Sequence, residues 1–404
     1  MTMKVRVILA AMIVAMTLAS VGCGHYICGI TKGATTCGNN GDNNKGSGNN
    51  NTGDAYLYQA DAGGIQGMTF TAATGKFVNT CTPSTCPTVN DPRVGSWTIV
   101  AQGKYLYSGY AETGTIYGWI IAADGSLTNI TGVYPLQLPN TIPEGGIQTM
   151  ITNPAGTELF MLNPTLQQIF VYLIGSGGGL TQVGAAVQLP AGFQPYNMAV
   201  DGQGRFLYVS NIVGSSTTAI QAYSIVSGSG TLNPIGTFTT ATNAQFGLMQ
   251  MQGDASGHFL VGTMSAVDNA DPHLYVLIVA ADGSISPVTN TPILTTHAPD
   301  QVAVQPNAGG NLVYSAAIQG INIGGPIEGF NLDLTTGLLT EISGSPFSAG
   351  ADTLKFDQSG QFLFTGDVFS KDMSVFDVST SSALNSSVAS VGWGAGSWAP
   401  TDVP

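Results

Sequence analysis

At 404 residues the chain is long enough for two or three domains, although all-β folds also run to this length as one unit. Charged residues make up 8% of it, against roughly 25% in an ordinary soluble protein, so the surface must be built from Ser, Thr, Asn, Gln and Gly. A hydrophobic content of 43% excludes a disordered chain, and a formal net charge of -13 excludes nucleic acid as a partner.

The first residues predict an export signal over residues 1–22. Lys4 and Arg6 form a basic start, Val7 to Ala19 an apolar run too short to span a bilayer comfortably, and Ser20-Val21-Gly22 lead into Cys23. Removing that signal takes away two positive charges and no negative ones, which shifts the net charge from -13 to -15. The small residues before Cys23 resemble the lipobox of bacterial lipoproteins, with Ser20 where Leu is usual. The resemblance implies a diacylated Cys23 and a membrane partner through that lipid; plain signal-peptide cleavage is the alternative. Gly24, in place of an Asp, points to the outer membrane, facing the periplasm or the cell surface.

Four further cysteines form two close pairs, Cys28 with Cys37 and Cys81 with Cys86, expected as disulfides in an exported chain. Neither pair has C-x-x-C or His partners at zinc-ligand spacing. From Gly38 to Gly53 the sequence is almost entirely Asn, Gly, Asp, Ser and Thr, the composition of a flexible tether, so residues 23–53 are predicted to hold a folded unit of residues 54–404 off the membrane.

Beyond residue 54 one short apolar strand recurs seven times: Tyr56-Leu57-Tyr58, Tyr105-Leu106-Tyr107, Leu159-Phe160-Met161, Phe206-Leu207-Tyr208, Phe259-Leu260-Val261, Leu312-Val313-Tyr314 and Phe362-Leu363-Phe364. Successive copies lie 47 to 54 residues apart, near the roughly 40 to 50 residues of propeller repeats. Upstream of several copies stands a turn of the form Asp/Asn-x-x-Gly, as in Asn153 to Gly156, Asp201 to Gly204, Asp254 to Gly257 and Asp357 to Gly360, with Asn307-Ala308-Gly309 a shortened version. Downstream come a third strand with period-two alternation and a hairpin into a fourth, as at Asp282-Gly283-Ser284-Ile285 and Thr336-Gly337-Leu338-Leu339-Thr340. No sustained helical period follows residue 54. The expected fold is all-β: a seven-bladed β-propeller of four-stranded antiparallel blades. Gly396-Ser397-Trp398-Ala399-Pro400 is similar to Gly95-Ser96-Trp97-Thr98-Ile99, so the C-terminal strand is expected to complete the N-terminal blade.

Phe206-Leu207-Tyr208-Val209-Ser210-Asn211, the alternation of Ile220 to Ile225, and Thr336-Gly337-Leu338-Leu339-Thr340 through Gly344-Ser345-Pro346-Phe347 resemble the bacterial lactonase family of seven-bladed propellers, which includes 6-phosphogluconolactonase-like proteins. In active members, the resemblance implies, segments like His-Pro-Arg-His place imidazole and guanidinium at one mouth of the axial channel. Here the matching segments are His297-Ala298-Pro299-Asp300-Gln301 and Gln194-Pro195-Tyr196-Asn197. One His survives, with Asp300 and Tyr196 at the Arg positions and Gln301 and Asn197 at the second His. Past the signal only Arg93 and Arg205 remain, so a guanidinium cluster cannot form.

Lactone hydrolysis needs a base to activate water and donors for the developing oxyanion. His297 is the best base on offer, with Asp300 as its assistant. Candidate ligand-binding residues near the axis are Arg93, Glu144, Gln148, Asn197, Gln245, Gln301 and Lys355, and Trp97 and Trp398 form a candidate stacking platform or pack between blades. Arg205 reads as structural. His258 and His273 lack metal spacing, and no nucleophile elbow, phosphate loop, dinucleotide fingerprint or H-E-x-x-H is present, so neither metal nor cofactor is expected. Taken together the sequence predicts a ligand- or protein-binding module of the cell envelope with weak or no catalysis; the alternative is a secreted lactonase acting on sugar or aliphatic lactones at the channel mouth.

Overall fold

The computed structural model describes residues 55–401 apart from 62–63, 72–75, 82–95, 103, 111–113, 123–124, 133, 139–148, 212–217, 241–249, 264–271, 290–291, 319–323, 352, 358, 368–371, 380, 385–386, 388 and 393–396. The expected signal, lipidation site and tether therefore lie outside the described residues, as do Cys28, Cys37 and Cys86. Cys81 closes the strand Lys76–Cys81.

Seven antiparallel sheets follow one another along the chain, each a meander of strands here named a to d from its innermost edge outward. Blade four shows the unit undecorated: Pro195–Val200, Phe206–Asn211, Thr218–Val226 and Thr231–Thr240. Blades two, three, five and six carry a fifth short strand on strand c, such as Ile293–Leu294 on blade five. The recurring apolar triplet is the start of strand b in every blade, where it is buried among neighbouring blades. Blade one has its strands b to d from Ala55–Asp61, Gly64–Thr71 and Lys76–Cys81, and its innermost strand is Ser397–Thr401, with Leu57 opposite Pro400. The last strand of the chain thus completes the blade begun by the first.

Alternation along strand b sends successive side chains to opposite blade faces, and the core is the set of seams between blades. Met198, Leu207, Val209 and Tyr223 of blade four pack with Phe160, Leu162 and Ile169 of blade three, while Tyr208, Ile220 and Ala222 on the opposite face pack with Met251, Leu260 and Leu277 of blade five. Phe362 and Phe364 of blade seven meet Leu57, Met68 and Phe70 of blade one, so the apolar seam is continuous between the two ends of the repeat array.

Two devices recur. In the a–b turns of blades three, four, five and seven a buried Asx side-chain oxygen accepts backbone N–H groups that open strand b, as Asp201 from Arg205 and Phe206, Asp254 from His258 and Phe259, Asn153 from Thr157 and Glu158, and Asp357 from Phe362. The following glycines at 156, 204, 257 and 360 all have φ between 68° and 71°, the left-handed turn that a β-carbon disfavours. In blade six the shortened turn cannot use Asn307 this way, and the side-chain oxygen of Gln305 accepts from Asn311 and Leu312 instead. The second device joins blades: the strand b tyrosine of one blade donates its hydroxyl to a carbonyl in the c–d connection of the next, as Tyr58 to Gly125, Tyr107 to Gly178, Tyr208 to Gly283 and Tyr314 to Ser382. Blades three, five and seven place Met161, Val261 and Phe364 at that position and rely on packing alone.

This order separates two faces. The a–b and c–d turns share one, the turn face; the b–c loops and the segments running from strand d to the next strand a share the other, the linker face. His297 lies in such a linker segment, between Ile293–Leu294 of blade five and Gln301–Val304, the innermost strand of blade six.

Candidate active site

The linker that carries His297 is clamped by one buried carboxylate. Glu328 stands mid-strand in Gly324–Leu332, strand c of blade six, on the rung shared with Ser315 and Val302. Its carboxylate accepts the backbone N–H of Thr296 at 3.0 Å and of His297 at 2.9 Å, and Thr295 Oγ1 donates to the His297 carbonyl at 2.7 Å. A carboxylate buried in a protein seam must be hydrogen-bonded to persist, and these two amides satisfy that requirement.

The same carboxylate faces the imidazole. His297 Nδ1 is sealed from solvent and lies 3.7 Å from Glu328 Oε1, while the side chain as a whole is 30% exposed. That separation exceeds a hydrogen bond, so the two groups meet as charge and dipole across a gap. A proton held on Nδ1 toward Glu328 leaves Nε2 as the basic nitrogen, the tautomer a general base requires. The sequence reading paired His297 with Asp300; the carboxylate that the fold brings to Nδ1 is Glu328, with Asp300 buried three residues further along. Glu328 was legible only as an acid inside an otherwise apolar alternating strand, and its partner is 31 residues away.

The other predicted residues divide by position. Asn197 is buried on the innermost strand of blade four, where its side-chain amide donates to Gln250 Oε1 of blade five at 3.1 Å and its backbone N–H donates to Ser210 Oγ. Gln250 opposite Thr263, Gln301 opposite Ala316 and Thr353 opposite Gly366 occupy equivalent rungs of blades five, six and seven, all buried. Asn197 and Gln301 are therefore brought to one level of the linker-side end of the innermost strands. Lys355, part-exposed, follows two residues deeper on blade seven, opposite Phe364. Arg93, Glu144, Gln148 and Gln245 lie outside the described residues. Trp97 and Trp398 belong to the innermost strands of blades two and one.

Arg205 is on the turn face and is structural: Nε pairs with Asp201 at 2.8 Å, Nη2 donates to the Gly257 carbonyl at 2.7 Å, and the guanidinium lies 5.0 Å over the Phe206 ring. His258 is also on the turn face, beside a shallow cleft against Leu334, Thr335 and Thr336.

The family model for lactonase seven-bladed β-propellers matches residues 49–344. The chain belongs to the lactonase family. Its seventh blade and closing strand lie beyond that match. Among solved structures, a candidate 6-phosphogluconolactonase of Bacteroides fragilis is 14% identical, covers 88% of this chain and 99% of its own, and superposes with a TM-score of 0.64. A Lactobacillus plantarum protein is 15% identical over 86% of this chain and 98% of its own, TM-score 0.62, and a candidate 6-phosphogluconolactonase of Bacteroides uniformis is 17% identical over 72% and 81%, TM-score 0.55. At these identities the likeness to solved structures is one of fold. No curated protein matches the chain.

Proposed function

We propose that this lactonase-family propeller hydrolyses lactones at the linker-face mouth of its channel, with His297 as general base and Glu328 as the residue that orients it. The observation that carries this reading is the 3.7 Å approach of a buried carboxylate to His297 Nδ1 in a linker whose backbone the same carboxylate fixes. His297 takes a proton from water as the oxygen adds to the lactone carbonyl. The ring C–O bond then breaks, the proton passes to the leaving alkoxide, and the product is a hydroxy acid. Asp300, buried three residues further along the same linker, is kept as the second acid on the sequence reading alone.

The reading includes an envelope location: export through residues 1–22, a lipid at Cys23, disulfides Cys28–Cys37 and Cys81–Cys86, and a tether to residue 53. It rests on the sequence features that predict them. Mass spectrometry of the protein released from membranes tests it, a diacylated Cys23 being the expected result.

A second reading is a glycan-, small-ligand- or protein-binding module without turnover. It is favoured by the commitment of Arg205 to Asp201 and Gly257, and by Asp300 and Tyr196 at the positions where active relatives are expected to carry guanidinium. Proton release on mixing the protein with a lactone panel separates the two. Turnover that His297→Ala abolishes in a folded protein supports the hydrolase; no turnover above background supports the module.

A further inference from the structure

We infer that Thr295 is a second positioning residue for His297, fixing the direction in which the imidazole leaves the backbone; this rests on the hydrolytic reading above for the role of the imidazole, and on hydrogen-bond geometry for the rest. A peptide unit is planar, so a residue turns only about φ and ψ, and pinning the peptides on both sides of a Cα sets both angles. The bond from Cα to Cβ then points one way. At His297 the preceding peptide is pinned through its N–H, which donates to Glu328 at 2.9 Å. The following peptide is pinned through its carbonyl, which accepts from Thr295 Oγ1 at 2.7 Å. Glu328 by itself would leave ψ of His297 free to turn.

Thr295 is itself fixed. Its backbone N–H donates at 2.7 Å to the carbonyl of Pro272, which precedes His273–Val279, strand c of blade five, and its side chain is buried. Branching at Cβ restricts χ1, so a buried Thr presents its hydroxyl in one direction at little further cost in entropy. The linker is thereby tied to blade five through Thr295 and to blade six through Glu328, and His297 stands where the two ties meet. Among the described residues the Thr295 hydroxyl has the His297 carbonyl as its one partner. Thr295→Val keeps the branched shape and removes that single bond, which frees the carbonyl of His297 and lets the imidazole swing. A base that swings meets water at a poorer angle while the substrate binds as before, so the loss falls on kcat and not on KM.

The test uses the purified full-length protein as parent, Thr295→Val and Thr295→Ser, with two readouts: kcat and KM on the lactone panel, and the carbon-13 NMR signal of the His297 ring, assigned by its loss in His297→Ala. In Thr295→Val the His297 signal should shift or split and kcat should fall about tenfold at a KM near the parent's. Thr295→Ser, which retains the hydroxyl, should match the parent in both. If Thr295→Val does not fold, Thr295→Ala takes its place in the same readouts. A folded variant without the hydroxyl that keeps the parent's kcat, or the parent's His297 signal, overturns the inference and leaves hydrolysis intact. If the parent turns over no lactone, the hydrolytic reading falls and the NMR signal alone decides: a change in Thr295→Val that Thr295→Ser does not show upholds the positioning role, and no change overturns it.

Discussion

The hydroxyl of Tyr208 donates to the carbonyl of Gly283 at 3.1 Å across 75 residues of sequence, and in doing so it joins strand b of blade four to the c–d turn of blade five. Gly283 has φ 81°, and a β-carbon there would lie 2.6 Å from the Phe206 ring and 2.4 Å from Ile235. The turn can approach the tyrosine only because residue 283 has no side chain. Tyr208→Phe keeps the ring and loses one buried hydrogen bond, so it should destabilise by about 1 kcal/mol. Gly283→Ala combines backbone strain with a clash and should cost more. Urea unfolding of the two variants orders them; a smaller effect at Gly283 would contradict the close approach.

The buried tyrosines set an alkaline limit. Burial pushes the hydroxyls of Tyr172 and Tyr223 up to about 12, and those of Tyr107, Tyr208 and Tyr314 higher still. In the unfolded chain they ionise near pH 10. A folded value above the unfolded one means that this contribution is complete below about pH 10 and is lost as pH rises toward the folded value. Melting temperature should therefore hold up to about pH 10 and fall above it. A melting temperature that does not change between pH 9 and 11.5 would show these hydroxyls to be solvent-accessible.

Asp357 closes the a–b turn of blade seven by accepting from the Phe362 and Ser359 amides, and burial raises its pKa against the lowering effect of those hydrogen bonds. Blade three fills the equivalent position with the neutral Asn153, which accepts from Thr157 and Glu158. Asp357→Asn should accordingly be tolerated within about 1 kcal/mol, whereas Asp357→Ala strands buried amides and should cost about 1–3 kcal/mol. Equal losses in thermal unfolding would contradict the shared role.

Glu328→Gln removes the charge and half of the clamp together. The amide oxygen of Gln can accept only one of the two N–H groups now bound, so the linker loosens and the Nδ1 proton loses its anionic partner. The expected result is a fall in kcat of about tenfold or more in a protein that still folds, with a stability loss of about 1–3 kcal/mol for the amide left without its acceptor. Unchanged kcat with lowered stability would make Glu328 a structural residue only.

The fold was legible because its signal repeats. Strand b recurs at nearly constant spacing, its Asx turns have a local hydrogen-bond logic, and the likeness of Ser397-Trp398 to Ser96-Trp97 is written in adjacent letters. Gln305 standing in for the Asx at Asn307 was not legible, since the acceptor moved to a residue outside the turn. The site was half legible. His297 and Asp300 share one linker and could be paired by proximity in sequence, but Glu328 reaches His297 only through the blade six meander, and nothing local to either residue encodes that contact. The same reason hid Gln250, whose role follows from Asn197 on the neighbouring blade.

The most direct test of the central claim is pH-indicator turnover of a neutral aldonolactone by the purified protein, with His297→Ala beside it and circular dichroism confirming that the variant folds. Base catalysis by His297 predicts turnover well above the uncatalysed rate in the parent and none above background in the folded variant. Full activity in His297→Ala, or no activity in the parent across the lactone panel, would contradict it.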